Sequence, residues 1–328
     1  MLERKEVGSL FKSTGVRIGS IQELGVGISL LALCLILGFS TEHFFTLDNL
    51  ISILRSATYV GIMSLGMVFV LSMRDVDLSV GSIYNLAGIT TAFLLTKQVN
   101  VIVAILIGLL VGVLCGLFNI GFAVLFKIPT IIVTLGTLSV FKGLGLVISQ
   151  GSPFYQFSKT TFLFTKIGGT VGRVPSMVLI FLFLTVVLFV IYGFTIFGIR
   201  VRGIGSNPQA AEFSGVNIVK YRFIVFALMG LLSAFSGVLE ISFLQSSNLQ
   251  MGIGTELSVI AAVIIGGTSL AGGSGSILGA LIGALIISVI RNGIVQVGIN
   301  QYWTSTVTGF VILAAVAIDY LFRKLRTK

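Results

Sequence analysis

Residues 101–126 read VIVAILIGLLVGVLCGLFNIGFAVLF, a run of 26 residues that contains no charged side chain. A helix needs about 20 apolar residues to cross the roughly 30 Å hydrocarbon layer of a membrane. Backbone polar groups find no water inside that layer, so a spanning segment must satisfy them within a helix or a closed barrel. This run therefore predicts a membrane-spanning α-helix over 100–126, and it decides the class of the whole chain.

Apolar blocks of similar length continue on both sides of this run. They predict an all-α, polytopic integral membrane protein with about ten transmembrane helices, over residues 21–39, 58–72, 79–96, 100–126, 129–149, 175–197, 222–243, 256–271, 275–294 and 302–322. The composition agrees, because 55% of the 328 residues are hydrophobic and 10% are charged, whereas soluble domains carry about 25% charged residues. We expect one transmembrane domain over 1–328, without room for a separate soluble domain.

The basic residues predict the orientation. With ten crossings and the N-terminus inside, fourteen of the 21 Lys and Arg residues fall on the inner side and seven on the outer side. Loops rich in Lys and Arg stay on the cytoplasmic side of a membrane, so both termini are predicted to be cytoplasmic. The net charge of +10 then belongs to flanks that face anionic lipid, and it does not indicate nucleic-acid binding.

Three segments outside the predicted spans are long enough to have structure of their own. Residues 150–174 form the longest outer connector, and residues 198–221 form the longest cytoplasmic loop. Residues 41–57 mix polar and apolar side chains, and they predict a short amphipathic helix that lies at the membrane surface.

Glycine accounts for 40 residues of the chain, and part of it recurs at helical spacing. Two rows each share one helix face: Gly108, Gly112 and Gly116, and Gly275, Gly279 and Gly283. Glycine on such a face lets helix backbones approach closely in lipid. Both rows are therefore predicted to be tightly packed, and helices that slide along these faces are the alternative. The glycine-rich stretch 266–275 contains no lysine, so it predicts a tight turn rather than a phosphate site.

The sequence lacks the residue patterns of several kinds of chemical site. No lysine follows a glycine, so the Gly-Lys step of a phosphate-binding P-loop is absent. The one histidine, His43, and the two cysteines, Cys34 and Cys115, are too far apart in sequence to suggest a zinc-binding cluster. We therefore expect no catalytic residues, metal site or cofactor in this chain, and we do not expect an enzyme.

Charged residues interrupt the apolar sequence between the second and third predicted spans. In this stretch Asp77 and Ser79 can cap the following helix, and Arg74 is the expected counter-charge of the nearby carboxylates. A capped helical break at the membrane interface is one interpretation, and a gate beside a solute path is the other.

The cytoplasmic loop at 198–221 carries the signals of one short helix that is capped at both ends. Ser206 or Asn207 suits the N-cap, Pro208 suits the first helical position and Gly215 suits the stop. Two interpretations of this segment are open, a docking surface for a cytoplasmic partner and an ordinary interfacial loop. The docking surface would be formed by Asn207, Pro208, Ala210, Ala211, Glu212 and Gly215.

Several stretches, in order along nearly the whole chain, resemble the ribose-type family of ABC importer permeases. The similar stretches are residues 44–50 (FFTLDNL), 77–82 (DLSVGS), 128–138 (IPTIIVTLGTL), the loop 207–217 and residues 256–273. The resemblance implies a multi-pass permease of the bacterial cytoplasmic (inner) membrane. Its implied cargo is a ribose-like monosaccharide or a related polar solute.

The resemblance also implies the partners. These are a second permease chain, giving a homo- or heterodimer, a cytoplasmic ATPase that binds the ATP, and an extracytoplasmic sugar-binding protein. The segment 210–215 would be the coupling helix that inserts into the ATPase. One departure matters, because the family often has glycine before Ile-Asp-Leu-Ser, and this chain has Arg74 and Asp75 in the two positions before Val76 and Asp77. The family's gating details are therefore not transferred to this stretch.

A polar solute needs hydrogen-bonding groups along its path through the membrane. The candidates for a gate or pore are Asp77, Ser79, Asn85, Asn119, Thr134 and Glu240. The alternative function is a self-sufficient secondary carrier, in which Glu240 or Asp77 couples solute movement to an ion gradient. A membrane-embedded enzyme ranks third, because the sequence offers no catalytic cluster.

Overall fold

The computed structural model describes residues 23–155, 162–300 and 302–326. The helices in chain order are α1 (Glu23–Ser40), α2 (Leu47–Ser72), α3 (Val80–Thr96), α4 (Val101–Phe126), α5 (Thr130–Ser149), α6 (Ser176–Phe194), α7 (Ile196–Ser206), α8 (Pro208–Phe213), α9 (Ile218–Leu244), α10 (Thr255–Ile265), α11 (Ile277–Gln296) and α12 (Trp303–Arg326). Between α5 and α6 lie a π-helical turn (Leu163–Ile167) and an antiparallel hairpin of β1 (Thr170–Val171) with β2 (Val174–Pro175).

Seven of the described helices are long and apolar enough to cross a membrane, namely α1, α2, α4, α5, α6, α9 and α11. Two shorter apolar helices accompany them, α3 with 17 residues and α10 with 11. A helix of 11 residues rises about 16 Å, which is about half of the hydrocarbon thickness. The fold is thus a multi-pass helical membrane bundle, in which α10 covers part of the membrane depth, and the count of ten crossings stays a prediction.

The most buried of the seven long helices are α2, α9 and α11. In α2, α9 and α11 the apolar stretch is 78%, 67% and 61% buried, compared with 6% in α1 and 28% in α4 and in α5. The outer helices expose leucine, isoleucine and phenylalanine side chains, which lipid accepts as readily as a protein core does. The residues from Val60 to Leu71 on α2 supply much of the buried core.

Most glycines of the two rows lie at close contacts between backbones, as predicted. A methyl group at Gly116 of α4 would overlap the carbonyl oxygen of Phe226 on α9, and one at Gly279 of α11 would overlap the carbonyl oxygen of Gly266. Gly112 and Gly283 are similarly close to the backbone of Gly230 and of Ala262, whereas Gly108 meets the Thr91 hydroxyl, and Gly275, which precedes α11, meets side chains only. Tight packing therefore accounts for both rows.

The separate surface helix predicted over 41–57 is wrong, because α2 runs without a break from Leu47 to Ser72. The polar side of its first half faces other parts of the protein. Asn49 is 7% exposed, and its side-chain oxygen accepts hydrogen bonds from Asn292 at 2.7 Å and Gln296 at 2.8 Å, both on α11. An amphipathic pattern is the same whether the polar side faces water or a polar protein interior.

The helix predicted over 256–271 ends earlier, at Ile265. Gly266 is its C-cap, and Gly267 has a φ of +88°, a left-handed conformation that glycine adopts without strain. The following loop packs against the end of α2, where the Gly273 N–H donates to the carbonyl oxygen of Ser72 at 2.9 Å. The stretch 266–275 is thus a packed turn, as predicted.

The outer connector 150–174 is described except for residues 156–161.

We predict that Gly279→Leu lowers the melting temperature of the detergent-solubilised protein. The added side chain meets the backbone of Gly266, and overpacking costs about 1–3 kcal/mol, which exceeds the gain of up to about 1 kcal/mol in helix propensity. The matched control is Gly143→Leu on α5, where an added Cβ has no neighbour within 4 Å. We expect the control to be neutral or stabilising, and an unchanged or raised melting temperature for Gly279→Leu would contradict this account of the packing.

Candidate functional site

The non-helical residues 73–79 between α2 and α3, which we call the inner break, are anchored by Asp75. Arg222 of α9 donates to both of its carboxylate oxygens, from Nε at 2.8 Å and from Nη2 at 2.7 Å. The Thr130 hydroxyl of α5 donates to Oδ1 at 2.9 Å. Asp75 is 7% exposed, so this bidentate ion pair is largely withdrawn from water. It ties the inner break to two further helices.

Arg74 makes a different connection from the one predicted. Its guanidinium donates to the carbonyl oxygens of Gly205 and Ser206 at the end of α7. The expectation that Arg74 is the counter-charge of the nearby carboxylates is wrong, and Arg222 has that role for Asp75. Arg74 follows Met73, the C-cap of α2, and its φ of 65° lies in the left-handed region. The backbone therefore leaves the helical path at this residue.

A chain of buried hydrogen bonds runs from the inner break into α4 and α5. Oδ1 of Asp77 accepts from the Ser79 N–H at 2.9 Å and from its hydroxyl at 2.6 Å. Asn119 donates to the Ser79 hydroxyl at 2.7 Å, and Thr137 donates to the Asn119 side-chain oxygen at 2.7 Å. The side chains of Asp77, Ser79 and Asn119 have no exposed surface. This chain holds the break in place, but the predicted capping is wrong, because Ser79 is the N-cap residue of α3 and no side chain makes a capping hydrogen bond there.

Thr134 joins the same region, since its hydroxyl donates to the carbonyl oxygen of Val76 at 3.3 Å. The structure thus brings together four of the six candidate gate or pore residues, namely Asp77, Ser79, Asn119 and Thr134. Oδ2 of Asp77 is buried without a hydrogen-bond partner among the described residues. The four residues are packed inside protein in this conformation.

Asn85 and Glu240 lie elsewhere, towards the other end of the bundle. The Asn85 side chain donates to the carbonyl oxygen of Asn248 at 3.2 Å, in the non-helical segment between α9 and α10. Glu240 borders a cavity of about 510 Å³, which we call the outer cavity. Its lining includes Ser52, Arg55, Ser56, Tyr59, Tyr84, Phe243, Asn248, Gln250 and Arg291.

Sequence reasoning missed two arginines of the outer cavity. Arg55 and Arg291 were assigned to outer flanks by the charge count, whereas they lie within α2 and α11. A charged residue inside an otherwise apolar span was the signal that could have identified them, because such residues face cavities or partners.

The loop predicted over 198–221 contains residues of two helices before α9 begins, α7 and α8, rather than the one predicted. The Thr195 hydroxyl caps α7 by accepting from the Gly198 N–H at 3.3 Å, and the frequent glycines of α7 hid this helix from sequence reasoning. The predicted caps of α8 are confirmed. The Asn207 side chain accepts from the Ala210 N–H at 3.1 Å, Pro208 is at the first helical position, and a positive φ of 78° follows at Gly215.

The residues of α8 are largely exposed. None of its residues is buried, and Phe213 is 93% exposed. Ala210 and Glu212 are exposed as well, whereas Ala211 is half-buried and packs against the core. Phe213 was not predicted as a site residue, although an aromatic residue at the end of a capped polar helix was a visible signal.

Comparison with known proteins gives a consistent result over most of the chain. The family described as "Branched-chain amino acid transport system / permease component" matches residues 49–316. The chain is 37% identical over 302 residues to the ribose import permease protein RbsC of Bacillus subtilis (strain 168), covering 92% of this chain and 94% of the relative. It is 36% identical over 308 residues to the probable ABC transporter permease protein YphD of Escherichia coli (strain K12), covering 94% and 92%.

A third relative is the L-arabinose ABC transporter permease protein AraH of Azospirillum brasilense. It is 31% identical over 310 residues, which cover 93% of this chain and 90% of the relative. No solved structure matches the chain.

We predict that Arg222→Gln destabilises the protein by about 2–3 kcal/mol. Removal of one partner from a buried ion pair costs about 3–5 kcal/mol, and the 25% exposure of the Arg222 side chain reduces this cost. The measurement is thermal unfolding in detergent, with the exposed Lys220→Gln as control. The double variant Arg222→Gln with Asp75→Asn should be more stable than Arg222→Gln alone, because no unpaired carboxylate remains. Equal stability of all these variants would contradict the anchoring role.

Proposed function

The chain belongs to the permease-component family that its residues 49–316 match, and on that premise we propose that it carries a ribose-like monosaccharide or a related polar solute inward. It is a multi-pass protein of the cytoplasmic (inner) membrane and a permease subunit of an ABC importer. The observation that carries the choice of solute is the 31–37% identity, over more than nine-tenths of this chain, to relatives named as ribose and L-arabinose permeases.

The proposed importer contains a second permease chain, a cytoplasmic ATPase and an extracytoplasmic sugar-binding protein. ATP is bound and hydrolysed by the ATPase, so this chain acts as a single permease domain over 1–328, without a cofactor and without catalysis. Two observations support the assignment of ATP hydrolysis to a separate ATPase. The sequence lacks the Gly-Lys dipeptide of a phosphate-binding P-loop, and the relatives are named as permeases. With the proposed ten crossings and cytoplasmic termini, α7 and α8 would lie on the side of the ATPase.

The coupling surface is proposed to be α8. Asn207, Pro208 and Gly215 define the two ends of this helix, and Ala211 holds it against the bundle. The exposed side chains of Ala210, Glu212 and Phe213 then meet the ATPase.

Movement of α8 has a direct route to the inner break. Asn207 is both the C-cap of α7 and the N-cap of α8, so the two helices are joined without a flexible linker. Arg74 contacts the carbonyl oxygens of Gly205 and Ser206, and a Cβ at Gly205 would overlap the backbone of Ser72. A shift of α7 and α8 therefore acts on the end of α2.

The solute path is proposed to have two parts. Asn85 and Glu240 belong to its outer part, beside the outer cavity, and Asp77, Ser79, Asn119 and Thr134 belong to an inner gate. Opening of the gate would break the buried hydrogen bonds of the inner break, which α8 contacts through α7. The alternative of a self-sufficient ion-coupled carrier is not favoured, because the relatives reported above are named as permeases of ABC transporters.

We predict that Phe213→Ser uncouples the importer and leaves the permease folded. The side chain is 93% exposed, so the substitution removes little from the permease itself and removes an apolar anchor from the interface. The measurements are co-purification of the ATPase and ATP-driven uptake of ribose in proteoliposomes that contain the complete importer. We expect both to fall by about tenfold, with an unchanged melting temperature of the permease.

The matched control is Phe45→Ser, which removes a phenylalanine of 57% exposure from the turn that precedes α2. Its co-purification and uptake should stay at the level of the unmodified importer. Normal ATPase binding and uptake by Phe213→Ser would refute the role of α8. Uptake that an ion gradient drives without the ATPase would refute the proposed function as a whole.

A further inference from the structure

We propose that the outer cavity is a solute site built within one chain, where Glu240, Arg55, Tyr59 and Arg291 bind a polyhydroxylated solute of monosaccharide size. The proposal rests on the proposed function and adds where the membrane subunit holds its solute. The four residues come from α2, α9 and α11, the three most buried of the long helices.

The first argument is the number of unsatisfied polar atoms around one cavity. Oε2 of Glu240, the Tyr59 hydroxyl, Nε of Arg55 and Nε of Arg291 are buried, and none has a hydrogen-bond partner among the described residues. Buried polar groups are nearly always paired in proteins, and each unpaired group costs about 1–3 kcal/mol or more when charged. All four residues line the outer cavity, so a polar ligand there would supply the missing partners once these side chains turn towards it.

The second argument is the mixture of donors and acceptors. A carboxylate accepts hydrogen bonds, a guanidinium donates them, and a phenol does either. Among the described residues the acid and the two arginines form no ion pair with one another, since the ion pair found there joins Arg222 to Asp75. A solute with several hydroxyl groups matches this set, because each hydroxyl both donates and accepts. An apolar solute would leave all four atoms unsatisfied.

The third argument is the shape of the wall. The Arg55 guanidinium lies over the Phe243 ring at 4.5 Å from its centroid, and Nη2 of Arg291 donates to the Ser258 hydroxyl. Both arginines are thus held in place by contacts that leave their Nε atoms free. Tyr84 adds a second aromatic side chain to the lining, and aromatic faces suit the C–H surface of a sugar ring. The volume of about 510 Å³ lies in the range of about 300–1,000 Å³ that small-molecule sites occupy.

The fourth argument is that the cavity has a defined boundary. The segment 245–254 lines it and is fixed to α3 by the hydrogen bond from Asn85 to Asn248. Gly252, with a φ of +82°, brings its backbone against that of Gly81, so that a Cβ at either glycine would overlap the other's carbonyl oxygen. This contact fixes one side of the outer cavity against the first turn of α3.

The test is direct binding to the full-length permease in lipid nanodiscs, without the ATPase or the binding protein. The probes are radiolabelled D-ribose and L-arabinose. We expect saturable binding of at least one of them, weakened tenfold or more by Glu240→Gln, because hydrogen bonds to charged groups are the stronger ones. Tyr59→Phe, which removes one hydroxyl, should weaken binding about threefold to tenfold.

The matched control is Glu42→Gln, which neutralises an exposed glutamate and should bind the sugar normally. Thermal unfolding of each variant shows whether the fold is kept, and Tyr59→Phe alone decides the outcome if Glu240→Gln does not fold. No saturable binding of either sugar, or binding that Glu240→Gln and Tyr59→Phe leave unchanged, would overturn the proposal. ATP-driven uptake of a sugar that the permease alone does not bind would refute the site and leave the proposed function intact, whereas absence of both uptake and binding would refute both.

Discussion

The structure depends on one constraint, which is that lipid offers no hydrogen bonds to a polypeptide. Wherever a helix is interrupted within the bundle, the protein itself must satisfy the exposed backbone and the polar side chains. Among the residues that the structure describes, three such interruptions lie at 73–79, 245–254 and 266–276. Each is held by side chains and backbone from other helices, and the polar residues of the protein are concentrated around them.

The first and third interruptions support each other at one end of the bundle. The Gly273 N–H donates to the Ser72 carbonyl oxygen, and Gly272 lies against the aliphatic part of Arg74. Arg74 in turn contacts the end of α7. The side chain of Arg74 thus spans the distance from the inner break to α7. The inner ends of α2, α7 and α11 are connected and would move together.

Much of this fold was predictable from hydropathy, and the reasons for the failures are specific. The long apolar helices and the caps of α8 follow from local sequence, because lipid and capping act on neighbouring residues. The partner of Asp75 was not predictable, since Arg222 is distant in sequence and Arg74 is adjacent to it. The polar side of α2 was wrongly predicted to lie at the membrane surface. Periodicity identifies a polar helix face, but it does not show whether water or protein contacts that face. Four of the six candidate gate residues do meet at the inner break, and a role for them in transport stays a prediction.

The glycine contacts have a consequence for how the bundle responds to temperature. Helices that meet through backbone atoms, such as α4 with α9 and α11 with α10, are held by dispersion and by weak Cα–H···O=C contacts. Their association in lipid releases little water, so the heat-capacity change that weakens hydrophobic association on cooling is small. The helix contacts of such a bundle should keep their strength in the cold, where the ordering of the surrounding acyl chains becomes the factor that slows its conformational cycle.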